Sequence, residues 1–352
     1  MNGKPKRYLM YIAQNYAYSM LRPLQTEILS QGGEVAWFLE GDQVSPGYLR
    51  ENEVRLMSIR EIKEWAPDAV FVPGNVVPHF IPGIKVGVFH GFNSGKRGDE
   101  RGHFNIRGFF DLYCTQGPDT THKFKMLAKR HGFFKVVETG WPNLDPLFLP
   151  EEKNPYISVE DSRPTVLLCS TFSDKLSCAP IVFDTVKALA DSGKWRWLVQ
   201  FHPKMDPAVV EKYKSIQSSN LQFVETDNVL PLLKAADVML CDTSSMLIMF
   251  LLQGKPVVTF RNQSPGKHLI DITKVSDIEG AIERALAKPS DTMSAIDNFC
   301  NLVHPYKDGN SSQRVLEATD LMIKSGLKRL KPKPLNLVRK FKLRKKLNYW
   351  GR

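Results

Sequence analysis

From Asn228 to Thr259 the chain reads NVLPLLKAADVMLCDTSSMLIMFLLQGKPVVT, an order of residues that few backbones can accommodate. A helix ends near Ala235-Ala236-Asp237. The wholly apolar run Val238 to Cys241 follows, as a strand buried on both faces requires. Asp242-Thr243-Ser244-Ser245 makes a polar turn into an apolar helix, Met246 to Leu252. Gly254 stops that helix, and Pro256-Val257-Val258 opens another strand. This order places unpaired backbone N–H groups and two hydroxyls at a helix N-terminus. Such an end suits phosphate, because first-turn N–H groups lack partners and the helix dipole is positive there. Ordinary capping by Asp242 or a serine accounts for the same four residues.

The alternation extends through the chain. Strands are expected at residues 8–12, 34–39, 69–72, 85–89 and 112–115, with helices over 19–31, 59–65 and 120–131, and Val136 to Pro142 closes this unit. A second series has strands at 165–169, 197–201, 221–224 and 238–241, and helices over 179–191, 208–218, 277–287 and 312–323. Strands alternating with helices imply parallel sheets covered on both faces, with ligands at the carboxyl ends of the strands. Residues 151–164, polar with two prolines, read as a linker. The expected fold is therefore α/β, with Rossmann-like domains over 1–150 and 165–323 and their parallel sheets facing each other across a cleft. A basic tail, 324–352, follows. His90 and the Ser244-Ser245 helix end are expected to approach from opposite sides. No repeat period of a solenoid is present.

At 352 residues the chain is long enough for two domains. No apolar run reaches the roughly 18–20 residues a membrane-spanning helix needs. The basic start MNGKPKRYLMYIAQ runs straight into a strand pattern, so a signal peptide is not expected. Five cysteines, Cys114, Cys169, Cys178, Cys241 and Cys300, form no CxxC pair. They suggest reduced thiols in the cytoplasm, not disulfides or a zinc site. The net charge is +11, but residues 321–352 carry 12 Lys or Arg and no Asp or Glu. The body is thus close to neutral, which argues against a nucleic-acid-binding surface there.

Four polar sites stand out: His90-Gly91, His202-Pro203, Asp242-Thr243-Ser244-Ser245, and Asp308-Gly309-Asn310-Ser311-Ser312-Gln313-Arg314. Each has an ordinary structural explanation. A lone histidine is usually a satisfied structural residue. His202-Pro203 ends a strand, since proline restricts the residue before it. Asp308-Gly309 is a common turn pair, and Ser311 or Ser312 a common cap.

In their order and spacing these sites resemble the CDP-glycerol glycerophosphotransferase family, which builds teichoic-acid-type polymers. Val88-Phe89-His90-Gly91, with Lys96 shortly after, is similar to the family's His-Gly segment. Gly140-Trp141-Pro142-Asn143-Leu144-Asp145 is similar to its Gly-x-Pro-x-x-Asp segment. Gln200-Phe201-His202-Pro203 is similar to its His-Pro strand end. Ala236 to Ser245 and Asp308 to Arg314 are similar to its Asp-Tyr-Ser-Ser and closing Asp-Gly-x-x-Ser-x-Arg segments. The resemblance covers residues 85–316. Phe89, Phe92, Thr243 and the insertion 93–108 depart from the family pattern, which bears on which polyol is transferred.

The resemblance implies a GT-B architecture and transfer of a polyol phosphate, glycerol phosphate first, from a CDP-linked donor to a hydroxyl of a surface glycan or its lipid-linked precursor. CMP is released. Catalytic roles fall to His90, as general base, and His202, on the pyrophosphate or as acid. Spacing alone does not choose the base between them. Asp242, Thr243, Ser244, Ser245, Ser312, Arg314 and Lys96 are the donor- or phosphate-binding set. Gly91, Pro203 and Asp145 are structural or substrate-positioning. No Asp-x-Asp occurs, so no metal and no cofactor beyond the CDP-polyol substrate is expected.

Residues 335–352, LNLVRKFKLRKKLNYWGR, place apolar residues on one helical face among basic ones. Such a segment suits an anionic membrane surface, with Pro332 and Pro334 setting it off as a tether. A solvated tail is the plainer alternative. The expected protein is thus a cytoplasmic transferase, peripheral at the inner face of the cell membrane, with no nucleic-acid partner. The rival readings are an inverting GT-B glycosyltransferase, an isomerase resembling UDP-sugar 2-epimerases, and a non-catalytic nucleotide-binding scaffold.

Overall fold

The computed structural model describes residues 4–92, 102–150, 153–226 and 228–351. The chain forms two units, Met1–Phe148 with Leu302–Arg352, and Leu149–Asn301. Each is built on one six-stranded parallel sheet.

In the first unit the strands are β1 (Arg7–Ile12), β2 (Glu34–Leu39), β3 (Ala69–Val72), β4 (Ile84–Gly87), β5 (Leu112–Thr115) and β6 (Lys135–Glu138). Their order in the sheet is β2-β1-β3-β4-β5-β6. In the second they are β7 (Thr165–Ser170), β8 (Arg196–Phe201), β9 (Leu221–Phe223), β10 (Val238–Cys241), β11 (Val257–Phe260) and β12 (Ile270–Ile272). Their order is β12-β11-β10-β7-β8-β9. The central strands are buried along their whole length on both faces, which is why they read as continuous apolar runs and not as alternating ones.

Helices cover the faces. They are α1 (Ala17–Ser30), α2 (Ile59–Trp65), α3 (Pro118–His131) and α4 (Asp145–Phe148) in the first unit. The second holds α5 (Ala179–Asp191), α6 (Pro207–Lys214), α7 (Leu230–Ala235), α8 (Met246–Leu251) and α9 (Ile278–Leu286). Helix α10 (Ser290–Val303) then carries the chain out of the second unit, and α11 (Ser311–Ser325) and α12 (Leu337–Lys346) belong to the first. Local signals set several ends. Ser58 accepts from the Glu61 N–H to start α2, and Gly132, at φ 78°, ends α3.

Two elements differ from the sequence expectation. Residues 302–323, assigned above to the second domain, pack in the first. Val315, Leu316 and Met322 of α11 are buried in one cluster with Leu21, Leu24 and Ile28 of α1 and with Met10 and Phe71 of the sheet. Asp320 accepts from the Tyr8 hydroxyl at 2.5 Å. The second difference is the tail. It is not set off from the body: Lys333 meets the buried Asp111 at 2.6 Å, and Leu343 is buried among Phe110, Phe124 and Phe134. Apolar burial and charge pairing recruit the segment to a surface that sequence spacing does not reveal.

Candidate functional site

In the first unit the candidate site forms at the carboxyl end of β4. The chain leaves the strand through Phe89, whose φ is 61°. A bulky residue in that left-handed region is strained and persists only where its surroundings enforce it. Phe89 is held by ring contacts to Phe124 (5.2 Å) and Tyr113 (6.0 Å), and its carbonyl accepts from the Trp141 indole N–H at 3.3 Å. The Gly91 carbonyl accepts from the Gln116 side-chain amide at 3.1 Å. His90 lies between these two anchors.

His90 Nδ1 is 3.1 Å from the Pro73 carbonyl, at the end of β3. A carbonyl only accepts, so Nδ1 carries a proton, and in the neutral ring Nε2 carries the lone pair. That is the tautomer a general base needs. The ring is half-buried, beside Tyr16 at 6.2 Å and His103 at 5.4 Å.

Behind this segment stands a residue the sequence reading did not single out. His304 is fully buried, and its Nε2 accepts from the Trp141 backbone N–H at 2.9 Å. Burial pushes its pKa down to about 4, so the ring is neutral at ordinary pH. Nδ1 then carries the hydrogen and faces the backbone of the 304–306 turn. His304 thus holds Trp141, Trp141 holds the Phe89 carbonyl, and Phe89 leads into His90.

The 140–145 and 308–314 segments lock together in this unit. Gly140 has φ 79°, and a Cβ there would lie 2.5 Å from the Ser311 hydroxyl, so only glycine fits. Asp145, buried, accepts from the backbone N–H groups of Ser311 (2.8 Å) and Ser312 (2.7 Å) and so caps α11. Burial raises the Asp145 pKa, with those N–H groups opposing it.

In the second unit three adjacent strands, β10, β7 and β8, end side by side. Asp242 follows β10. It is buried and accepts from the Ser170 hydroxyl (2.5 Å), the Thr171 N–H (3.1 Å) and the Cys178 N–H (3.0 Å). It ties the loop after β7 to the end of β10. The Thr243 hydroxyl accepts from the Gln263 N–H at 3.0 Å, and the Ser244 hydroxyl from the Met246 N–H at 3.3 Å. Ser245 is exposed at the start of α8, a helix of 6 residues.

His202 follows β8 in an exposed turn begun by Pro203. Its Nδ1 accepts from the Lys204 N–H at 3.0 Å, which leaves the hydrogen on Nε2. The ring lies 4.5 Å from Phe172, and burial, with the Lys204 charge, lowers its pKa. A neutral ring with an outward N–H is a donor to an anion. The two histidines are therefore opposite tautomers at the two strand ends.

No family model matches the chain, and no curated protein matches it. Solved structures do. The chain shares its fold with the wall teichoic acid polymerase TagF and with UDP-N-acetylglucosamine 2-epimerases. TagF superposes at a TM-score of 0.65 and 14% identity over 92% of this chain and 90% of that one. S. aureus MnaA, solved with UDP, gives 0.62 and 15% over 94% and 99%. A putative UDP-N-acetylglucosamine 2-epimerase from Listeria monocytogenes gives 0.63 and 16% over 92% and 98%. The architecture is thus GT-B-like, and at these identities the likeness is one of fold.

Several expected donor-binding residues are engaged elsewhere. The Ser312 backbone N–H is taken by Asp145, and its hydroxyl is buried beside that carboxylate. Arg314 pairs with Asp308, and its guanidinium lies 4.3 Å over the Tyr306 ring. Both belong to the first unit, not the second. Asp242 spends its carboxylate on the fold. Lys96 lies outside the described residues. Among the described residues no group of three or more His, Cys, Asp or Glu side chains is placed to hold a metal ion. Trp141, Pro73 and Phe172 carry part of the site geometry. The Trp141 and Pro73 signals lay in turn motifs after strands, whereas nothing in sequence ties His304 to residue 141.

Proposed function

We propose that the protein is a transferase that moves a polyol phosphate from a CDP-linked donor to an acceptor hydroxyl on a surface glycan or its lipid-linked precursor. The observation that carries this reading is the pair of opposite histidine tautomers, a lone pair on His90 Nε2 and a hydrogen on His202 Nε2, each at the carboxyl end of a parallel strand. The TagF likeness supports the choice of donor: one TagF structure was soaked with CDPG.

In the reaction His90 Nε2 takes the proton as the acceptor oxygen attacks the donor β-phosphorus. The new O–P bond forms, and the bond from that phosphorus to the bridging oxygen breaks. CMP leaves with the bridging oxygen. In the second unit the His202 N–H and the Ser244-Ser245 turn are groups suited to a phosphate. His90 later gives up its proton to solvent.

Nucleotide release tests this directly. Purified protein is incubated with CDP-glycerol, CDP-ribitol and UDP- and GDP-sugars, with and without glycan acceptor. CMP released only with a CDP-polyol and acceptor is expected. The likeness to a putative UDP-N-acetylglucosamine 2-epimerase supports a second reading, a UDP-sugar 2-epimerase-like isomerase. It requires interconversion of UDP-sugar epimers without acceptor and without CMP, which would replace the first reading. UDP or GDP release that needs acceptor assigns a glycosyltransferase instead.

A further inference from the structure

Helix α12 has two working faces. Its inward face is pinned to the first unit. Leu343 is 6% exposed in the core, and Leu347 and Tyr349 pack at its rim, with the Tyr349 ring 4.9 Å from Phe80. Arg344 lies 5.2 Å from the Phe80 ring. Lys346 pairs with the buried Glu40 at 2.6 Å, as Lys333 does with the buried Asp111. Asn336 donates to the Arg107 carbonyl at 2.6 Å. Removing this segment would strand two buried carboxylates, so it is an integral part of the unit.

Among the described residues nothing covers the opposite face. At 100° per residue Leu337, Phe341 and Lys345 form one line and Val338 and Lys342 the next. Leu337 is 71% exposed, Val338 69% and Phe341 56%. Trp350, 57% exposed, stands edge-on to Phe341 at 5.6 Å. Arg339, Lys342 and Lys345 around them are exposed too. A ten-residue helix is marginal alone in water, so the inward contacts are what keep the outward face formed.

We propose that this outward face of α12 is a preformed contact plate for an anionic lipid surface. The apolar row enters the boundary between headgroups and acyl chains, while the surrounding lysines and arginines meet lipid phosphates. Charge selects this occupant. Residues 321–352 hold 12 Lys or Arg and no acid, so a second copy of the chain would bring like charge to the same plate. No ordering of a disordered tail is needed on binding, because the fold has already ordered it. The inference holds whichever donor the enzyme uses.

The test is sedimentation of the full chain with vesicles of phosphatidylcholine alone or mixed with phosphatidylglycerol. Binding to the anionic vesicles only is expected, weakening as salt rises. Lys342→Ala and Lys345→Ala should each weaken it about fivefold. Leu337→Asp with Phe341→Asp should weaken it at least about tenfold and leave the melting temperature unchanged. Equal binding to neutral vesicles, or no loss in the Asp variant, overturns the proposal. So does self-association in sedimentation equilibrium that Phe341→Asp abolishes while vesicles stay unbound, which assigns the plate to a second copy.

Discussion

The two sheets of this protein have the same number of strands but different winding, and their sites differ accordingly. Numbered within its own unit, the second sheet runs 3-2-1-4-5-6, the order of dinucleotide-binding folds; the first runs 2-1-3-4-5-6. Ligands in such sheets gather where the strand order reverses. In the second unit the reversal lies between β7 and β10, and Asp242 spans it with a fully used carboxylate. In the first it lies between β1 and β3, and Pro73, at the end of β3, fixes the His90 tautomer from the edge of that point. One switch point is filled by a structural clamp. The other is bordered by an imidazole that follows a strained residue. Position on the fold thus tells where chemistry gathers, and the hydrogen bonds of each carboxylate and imidazole tell which group is free to perform it.

Substitutions at the two switch points should part company. His90→Ala is expected to lower turnover by about a thousandfold while donor binding stays within a few fold, measured by CMP release and titration calorimetry. Turnover near that of the unsubstituted protein would leave the two sites with no catalytic difference. Asp242→Ala should act in the opposite way, through the fold. It leaves the Ser170, Thr171 and Cys178 donors unmatched and should cost about 3 kcal/mol in urea denaturation. A loss under about 1 kcal/mol would mean that the loop after β7 does not depend on it.

A smaller effect is expected from acid. Burial holds His304 at about 4, below the roughly 6.5 of an unfolded histidine. Between those values the unfolded chain binds the proton that the folded chain refuses, so stability falls as pH drops from about 6.5 towards 4. His79, also held at about 4 by burial and by Lys340 and Arg344, adds in the same direction. His304→Leu should flatten this slope by about 2 kcal/mol between pH 7 and pH 4.5, read from denaturation midpoints at both values. An unchanged slope would show that His304 is not buried neutral.

The smallest change expected is at Arg314. Its partner Asp308 is partly exposed, and such pairs contribute below about 1 kcal/mol. Arg314→Ala should therefore barely move stability, and the donor Michaelis constant should stay within about twofold. A rise of tenfold or more would return Arg314 to the phosphate-binding role that the sequence resemblance implied.

How far the sequence went can be seen residue by residue. The strands were legible because parallel strands buried on both faces must be apolar throughout; Val238 to Cys241 and Ala69 to Val72 fell where they were expected. Strand ends were legible for the same reason, which placed His90, His202 and Asp242 at carboxyl edges. Ser244 was legible as part of the polar turn into α8, where its hydroxyl accepts from the Met246 N–H two residues on. What each polar group bonds to was not legible. Asp242 could cap, bind ribose or clamp a loop by its sequence alone, and its partners Ser170 and Cys178 lie far back in the chain. The pairing of Asp145 with Ser311 and Ser312 joins residues more than a hundred apart, and it moves a whole motif from one unit to the other.

The alternation of strand and helix, the two-unit α/β plan and the amphipathic basic character of the C-terminal segment are written in the order of residues. Each of these follows from local periodicity and composition, which act over one or two turns of chain. The tautomers of His90 and His202, the positive φ at Phe89, the return of α11 to the first unit and the outward face of α12 emerge only once distant segments pack together. Those depend on desolvated charges and hydrogen bonds between distant segments, where an unmatched buried group costs more than any local preference returns.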